Sequence, residues 1–200
     1  MHRETAYDEV FDAQRHFRTV LDAMSRPGRV NRLTGPVLSS PAPFLPASAA
    51  VAFALLNADV TFHLTGFTDA AAAYLTAHTH SRPAPAAQAD FLFLSGNAPL
   101  DAVHEARLGL PAYPEGGATV IVQIEQVGRS SSVGGLQLTL EGPGIESREI
   151  VYVAGLRSEL PALLQERNRE FPLGLDAIFV TPHDSLFCLP RTTRVACLKA

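Results

Sequence analysis

The stretch Ala118-Thr-Val-Ile-Val-Gln-Ile-Glu-Gln-Val127 decides how this chain is to be read. Six of its ten residues are β-branched. Such side chains are stiff at χ1 and pack well on a pleated surface, so the run predicts a strand. Working toward the C-terminus, 136–140 and 148–153 alternate or run apolar and predict two more strands. The run Gly128-Arg-Ser-Ser-Ser-Val-Gly-Gly135 reads as a hairpin loop between the first two, and Gly142-Pro143-Gly144 as a tight bend before the third. A helix is expected over 158–170, with Ser158 as N-cap and Leu160, Leu163 and Leu164 on its apolar side. Strands at 176–181, 185–189 and 194–198 close the chain.

Working toward the N-terminus, Phe17, Val20, Leu21 and Met24 recur at i, i+3, i+4 and i+7, the spacing of one helix face. Pro27-Gly28 stops that helix, because proline cannot extend the ladder and glycine accepts the left-handed conformation. Further helices are expected at 48–57, at 68–78 with Thr68 as N-cap, and at 99–108; strands at 60–64 and 90–94. The Pro/Ala-rich stretches 36–46 and 81–89 read as ordered surface connections, too short to link domains. Leading helices, a central meander and late helix–strand alternation predict an α/β or α+β domain around one mixed sheet. The length of 200 residues suits a single domain spanning 1–200.

Composition limits the chemistry. The apolar share of 46% supports a large core, and a net charge of −4 argues against a general nucleic-acid binder. Of the 16 basic residues, 15 are arginine, and the single lysine is Lys199, in a tail expected to fray. A Schiff-base or phosphate-loop lysine in a formed pocket is thereby disfavoured. The charged start MHRETAYDEVFDAQRHFR has no apolar signal core, which predicts a cytoplasmic protein with no membrane span. Cys188 and Cys197 could face each other across a hairpin turning near Thr192 and Thr193; two separate reduced thiols, buried or partly so, are the preferred reading.

No metal framework stands out. His78 and His80, two apart at a helix end, point in different directions. His183-Asp184 suits a turn, His16 and His104 read as surface positions on helices, and His63 as a satisfied strand histidine. Neither glycine-rich segment fits a dinucleotide or phosphate loop, and no nucleophile elbow is present. What remains is arginine at element boundaries. Arg26 sits in Met24-Ser25-Arg26-Pro27-Gly28 and Arg191 in Leu189-Pro190-Arg191-Thr192-Thr193. Guanidinium groups match phosphate and carboxylate bidentately, so Ser25, Arg26, Gly28, Asp176, Arg191 and Thr192 are candidate anion, ligand or interface residues, with Asp176 or Glu115 as an acid or base. Asp176 serves equally well as an arginine's structural partner.

Several blocks resemble the PhnH family of the bacterial carbon–phosphorus lyase (phosphonate degradation) system. They are Phe17-Arg18, Leu21-Asp22-Ala23-Met24-Ser25 and Pro27-Gly28; Pro114-Glu115-Gly116-Gly117-Ala118-Thr119; Gly142-Pro143-Gly144-Ile145; Phe171-Pro172-Leu173-Gly174-Leu175-Asp176; and Leu189-Pro190-Arg191-Thr192-Thr193. They occur in order from about residue 11 to about residue 195. The resemblance implies a three-layer α/β sandwich with a mixed central sheet, like the large domain of pyridoxal-phosphate-dependent transferases but working with no cofactor. It implies a homodimer that joins carbon–phosphorus lyase subunits G, I and J. That assembly makes ribose 1-methylphosphonate 5-triphosphate from ATP and methylphosphonate with release of adenine, and its iron–sulfur member, J, later cleaves the carbon–phosphorus bond. The chain is then an accessory subunit. Two other readings are a stand-alone transferase with an arginine anion site, and a module binding phosphonate or nucleotide.

Overall fold

The computed structural model describes residues 7–36 and 38–199. In chain order its elements are α1 (Phe11–Ser25), β1 (Asn31–Arg32), α2 (Pro46–Leu55), β2 (Thr61–Thr65), α3 (Asp69–Thr79), β3 (Arg82–Pro83), β4 (Phe91–Ser95) and α4 (Asp101–Glu105). Then come β5 (Leu108–Leu110), β6 (Tyr113–Gly117), β7 (Thr119–Gln123), β8 (Gln126–Gly128), β9 (Leu136–Glu141), β10 (Glu149–Ala154), α5 (Leu160–Arg167), β11 (Asp176–Val180), β12 (Ser185–Leu189) and β13 (Arg194–Lys199).

The central sheet has seven strands in the order β1-β12-β11-β7-β4-β2-β3. The five from β11 to β3 are parallel; β12 is antiparallel to β11, and β1 to β12, so the sheet is mixed. Its inner strands are buried on both faces, which is why β4, β7, β11 and β12 read as continuous apolar runs. One face packs on α1, α2 and α3, where Phe62, Phe93, Ile121, Ile178 and Leu186 meet Val20, Ala49, Val51 and Leu75. The other face packs on α4, α5 and a second sheet, where Val120, Val122, Phe179 and Phe187 meet Leu138, Leu140, Val151 and Leu164. That second sheet is antiparallel, in the order β13-β9-β10-β8. In β9 burial alternates residue by residue, with Leu136, Leu138 and Leu140 inward, because only one of its faces is covered.

Several expectations change here. One mixed sheet becomes three sheets, since β5 and β6 add a two-stranded hairpin to the two larger ones. The deciding run 118–127 breaks at Ile124-Glu125: β7 enters the central sheet and β8 the second one. The segment 128–135 is not a hairpin loop, because β8 pairs with β10 while β9 lies between β10 and β13. The expected helix over 99–108 shrinks to α4 and gives way to β5. The C-terminal helix starts at Leu160, and its N-cap is Glu159 in place of Ser158. The preferred reading of the cysteines holds: Cys188 is buried in β12 of the central sheet, Cys197 is partly buried in β13 of the second sheet, they share no hairpin, and both are free. Lys199, expected to fray, pairs through its backbone with Leu136.

The largest correction concerns α1. Its buried side chains are Asp12, His16, Val20 and Ala23. Phe17 is 46% exposed and Leu21 56%, so the packed face is rotated by roughly a quarter turn from the apolar spacing. His16, expected at the surface, is buried at 2% exposure, while His104 is exposed as expected. His63 Nδ1 lies 3.0 Å from the Ala84 carbonyl, a satisfied strand histidine.

Candidate functional site

Two boundary regions hold the residues singled out by sequence, and they lie apart. The first centres on Arg191, in the turn that leaves β12. Asp176 opens the neighbouring strand β11, and its carboxylate accepts from the Arg191 backbone N–H (2.8 Å), from Nε (3.1 Å) and from Nη2 (2.6 Å). Arg191 Nη1 donates to the carbonyls of Pro114 (2.8 Å) and Pro172 (3.2 Å). The side chains are 12% and 24% exposed, so this is a largely desolvated, charge-assisted clamp. It ties β11 and β12 to the β6 hairpin and to the Phe171-Pro172 loop. Asn168 reinforces the same corner by accepting from the Leu175 N–H at 2.6 Å and donating to the Leu175 carbonyl at 3.0 Å. Thr192 is half-buried beside the clamp and Glu115 is exposed, with neither in a hydrogen bond to Arg191.

The second region is the end of α1. Ser25 Oγ donates to the Asp22 carbonyl (2.8 Å), and Arg26 pairs with the Asp22 carboxylate (2.9 Å). Gly28 has φ +82°, and a Cβ there would lie 2.7 Å from Leu140 Cδ1 and 2.8 Å from Glu149 Cγ. Glycine is therefore required both for the turn and for close approach to β9 and β10. The bend Gly142-Pro143-Gly144 lies between the two regions: Gly142 faces the Thr192 carbonyl and Gly144 faces the Ser25 carbonyl.

The structure also assembles a group that spacing along the sequence did not pick out. Arg15, Arg18, Arg29 and Arg32, with Phe11, Gln14, Thr19, Asp22, Val30 and Asn31, line an open cleft of about 640 Å³ between α1 and β1. Asn31 Nδ2 fixes its floor by donating to the Asp22 carboxylate (2.7 Å) and to the Thr19 carbonyl (3.4 Å). The available signal was Arg15 and Arg18 at i, i+3 on one helix side, followed by Arg29-x-x-Arg32 after the turn.

Beneath α1, His16 lies between the Tyr7 hydroxyl (3.3 Å) and the Thr34 carbonyl (3.2 Å). Burial pushes its pKa below the ordinary value, against the raising influence of the Thr34 carbonyl, Asp12 and Asp184. Burial, aided by the charge of Asp176, pushes the Cys188 thiol far up, so it stays protonated and unreactive.

The blocks quoted from the sequence thus meet in the fold, those holding Pro114, Pro172 and Arg191 at one corner and those holding Ser25 and Gly144 at another. A family model described as bacterial phosphonate metabolism protein (PhnH) matches residues 5–196. A relative from Rhizobium meliloti (strain 1021), described as alpha-D-ribose 1-methylphosphonate 5-triphosphate synthase subunit PhnH, is 30% identical over 191 residues, covering 94% of this chain and 92% of the relative. A second, from Stutzerimonas stutzeri and described as putative C-P lyase subunit protein HtxG, is 37% identical over 114 residues, 57% of this chain and 54% of that protein. A family match over nearly the whole length settles the kinship: this chain belongs to the bacterial phosphonate metabolism protein (PhnH) family.

Proposed function

We propose that this chain is an accessory subunit of a carbon–phosphorus lyase system in phosphonate catabolism, supporting synthesis of a ribose 1-methylphosphonate 5-triphosphate. The observation that carries this reading is the near full-length kinship to a subunit of that synthase. The structure adds a physical reason for an accessory role: the most prominent arginine, Arg191, spends its donors on Asp176, Pro114 and Pro172, holding the fold together. On this reading Ser25, Arg26, Gly28, Asp176, Arg191 and Thr192 shape surfaces and junctions. The other subunits, of types G, I and J, dock on outward apolar side chains such as Leu110, Tyr113 and Phe171, each more than 60% exposed. A second copy of the chain pairs along α1.

The cytoplasm is the proposed compartment; no helix among the described residues is long and apolar enough to cross a membrane. The proposed likeness to the large domain of pyridoxal-phosphate-dependent transferases is supported by the five-stranded parallel run with helices on both faces. The whole chain is proposed as one domain, because both cores share the central sheet.

The test is co-purification from the native host during growth on a phosphonate. A tagged chain is expected to bring down the other phosphonate-system subunits; a tagged chain that emerges alone overturns the reading.

A further inference from the structure

We propose that the cleft between α1 and β1 binds the triphosphate chain of an organic triphosphate, with guanidinium groups on the phosphates and the Phe11 ring against the organic part. The choice of a triphosphate rests on the function proposed above. The existence of an anion cleft rests on geometry alone.

Four of the chain's 15 arginines converge on this one concavity, in a protein whose net charge is −4. Their carboxylate partners do not cancel them. Arg15 is held by Asp12 at 2.7 Å through Nη1, and its side chain is 47% exposed. Asp22 is engaged by Arg26 at 2.9 Å and by Asn31, and Arg29 reaches it only at 3.8 Å. Arg18 and Arg32 are exposed and have no carboxylate partner among the described residues. Guanidinium groups gathered on one concave surface raise the local positive potential and favour a compact polyanion over a single charge.

The size is also suitable. About 640 Å³ lies within the range of small-molecule sites. The frame is rigid on both sides: α1 supplies Arg15 and Arg18 one turn apart, and β1 is locked to the central sheet by the Arg32–Ser185 pairing. Phe11, 68% exposed at the cleft's edge, offers an aromatic face to a planar base or a sugar. A long nucleic acid is disfavoured by the chain's net charge of −4.

The test measures binding of ATP, inorganic tripolyphosphate, orthophosphate and adenosine to the full chain by calorimetry. It is repeated with the double variant Arg18→Ala, Arg32→Ala and with Phe11→Ala. Both arginines are exposed, so a melting scan should show the double variant folded. ATP and tripolyphosphate are expected to bind, ATP the tighter, with orthophosphate and adenosine far weaker. Removing the two arginines should weaken ATP at least about tenfold. Phe11→Ala should erase the advantage of ATP over tripolyphosphate. Absence of ATP and tripolyphosphate binding at millimolar concentration overturns the proposal, as does binding that the double variant leaves unchanged. Orthophosphate binding as tightly as tripolyphosphate makes this a general anion site and also overturns it. If the double variant instead loses co-purifying subunits while ATP binding is retained, the cleft is a protein contact and the proposal falls. Wild-type co-purification judges the accessory reading separately, so the two can fail independently.

Discussion

An arginine beside a strand end can hold a ligand or hold the protein, and the count of its engaged donors separates the two. Arg191 makes four side-chain hydrogen bonds, all within the chain. Asp176→Asn should therefore act on stability, leaving a nearly buried guanidinium without its counter-charge. The expected loss is about 2–4 kcal/mol, read from urea denaturation. A midpoint equal to wild type would show the pair to be dispensable. The partnership of Asp176 was legible, because it stands one strand away from the Pro190-Arg191 turn. The two proline carbonyls were not, since Pro114 lies 77 residues from Arg191 and no local spacing points to it. His16 is the reverse case. Its position on a charged helix hid its burial, and its folded pKa lies below the ordinary value near 6.5. The neutral ring fits the core and protonation favours the unfolded chain. Stability should be complete above about pH 6.5 and decline as pH falls through the depressed folded pKa. Asp12, Asp184, Arg15 and Tyr7 face the ring, so His16→Gln is the control: urea midpoints at about pH 7.5 and about pH 5.5 should converge in the variant relative to wild type. An unchanged acid slope would assign the effect elsewhere.

Elements were more legible in kind than in partnership. The strands 136–140, 148–153, 176–181 and 185–189 emerge within a residue or so of their expected bounds, because burial on one or both faces imposes the patterns that were read. What spacing cannot show is which sheet a strand joins. The split at Ile124-Glu125 falls inside the β-branched stretch that reads as one strand, and Glu125 reaches across to the Ala154 carbonyl through its N–H (3.0 Å), linking the two sheets. The junction of α1 with β9 and β10 is equally non-local. At Gly144, φ is +83° and a Cβ would sit well inside van der Waals contact with the Ser25 carbonyl oxygen, which is backbone and cannot swing away. Gly134 has a similar φ of +72° but open space around its Cα. The pair separates strain from clash. Gly134→Ala should cost about 1 kcal/mol through backbone strain, and Gly144→Ala about 3 kcal/mol or more. Equal losses in thermal or urea unfolding would mean that the α1 end is free to move off the bend.

At the scale of the whole molecule, the displaced face of α1 becomes the informative feature. The helix turns its polar Asp12 and His16 inward and leaves Val10, Phe17 and Leu21 along an outer stripe, at 69%, 46% and 56% exposure. Burying a carboxylate and an imidazole while exposing three large apolar groups is unfavourable for a lone chain. It becomes favourable when the stripe is covered. A straight 15-residue helix is about 22 Å long, and an apolar stripe along it is self-complementary across a twofold axis. Isologous pairing would put Leu21 of each copy against the apolar stripe of the other, with the arginine cleft flanking the seam and open to solvent. Leu21→Glu should then yield monomers by light scattering at concentrations where the wild type is a dimer, because two carboxylates would be desolvated at the seam. The melting temperature should fall with the loss of association, while the secondary-structure signal stays that of the wild type, since Leu21 is 56% exposed in the single chain. A wild type that scatters as one chain at micromolar concentration would leave this stripe to another subunit, and the same substitution should then abolish co-purification without altering mass.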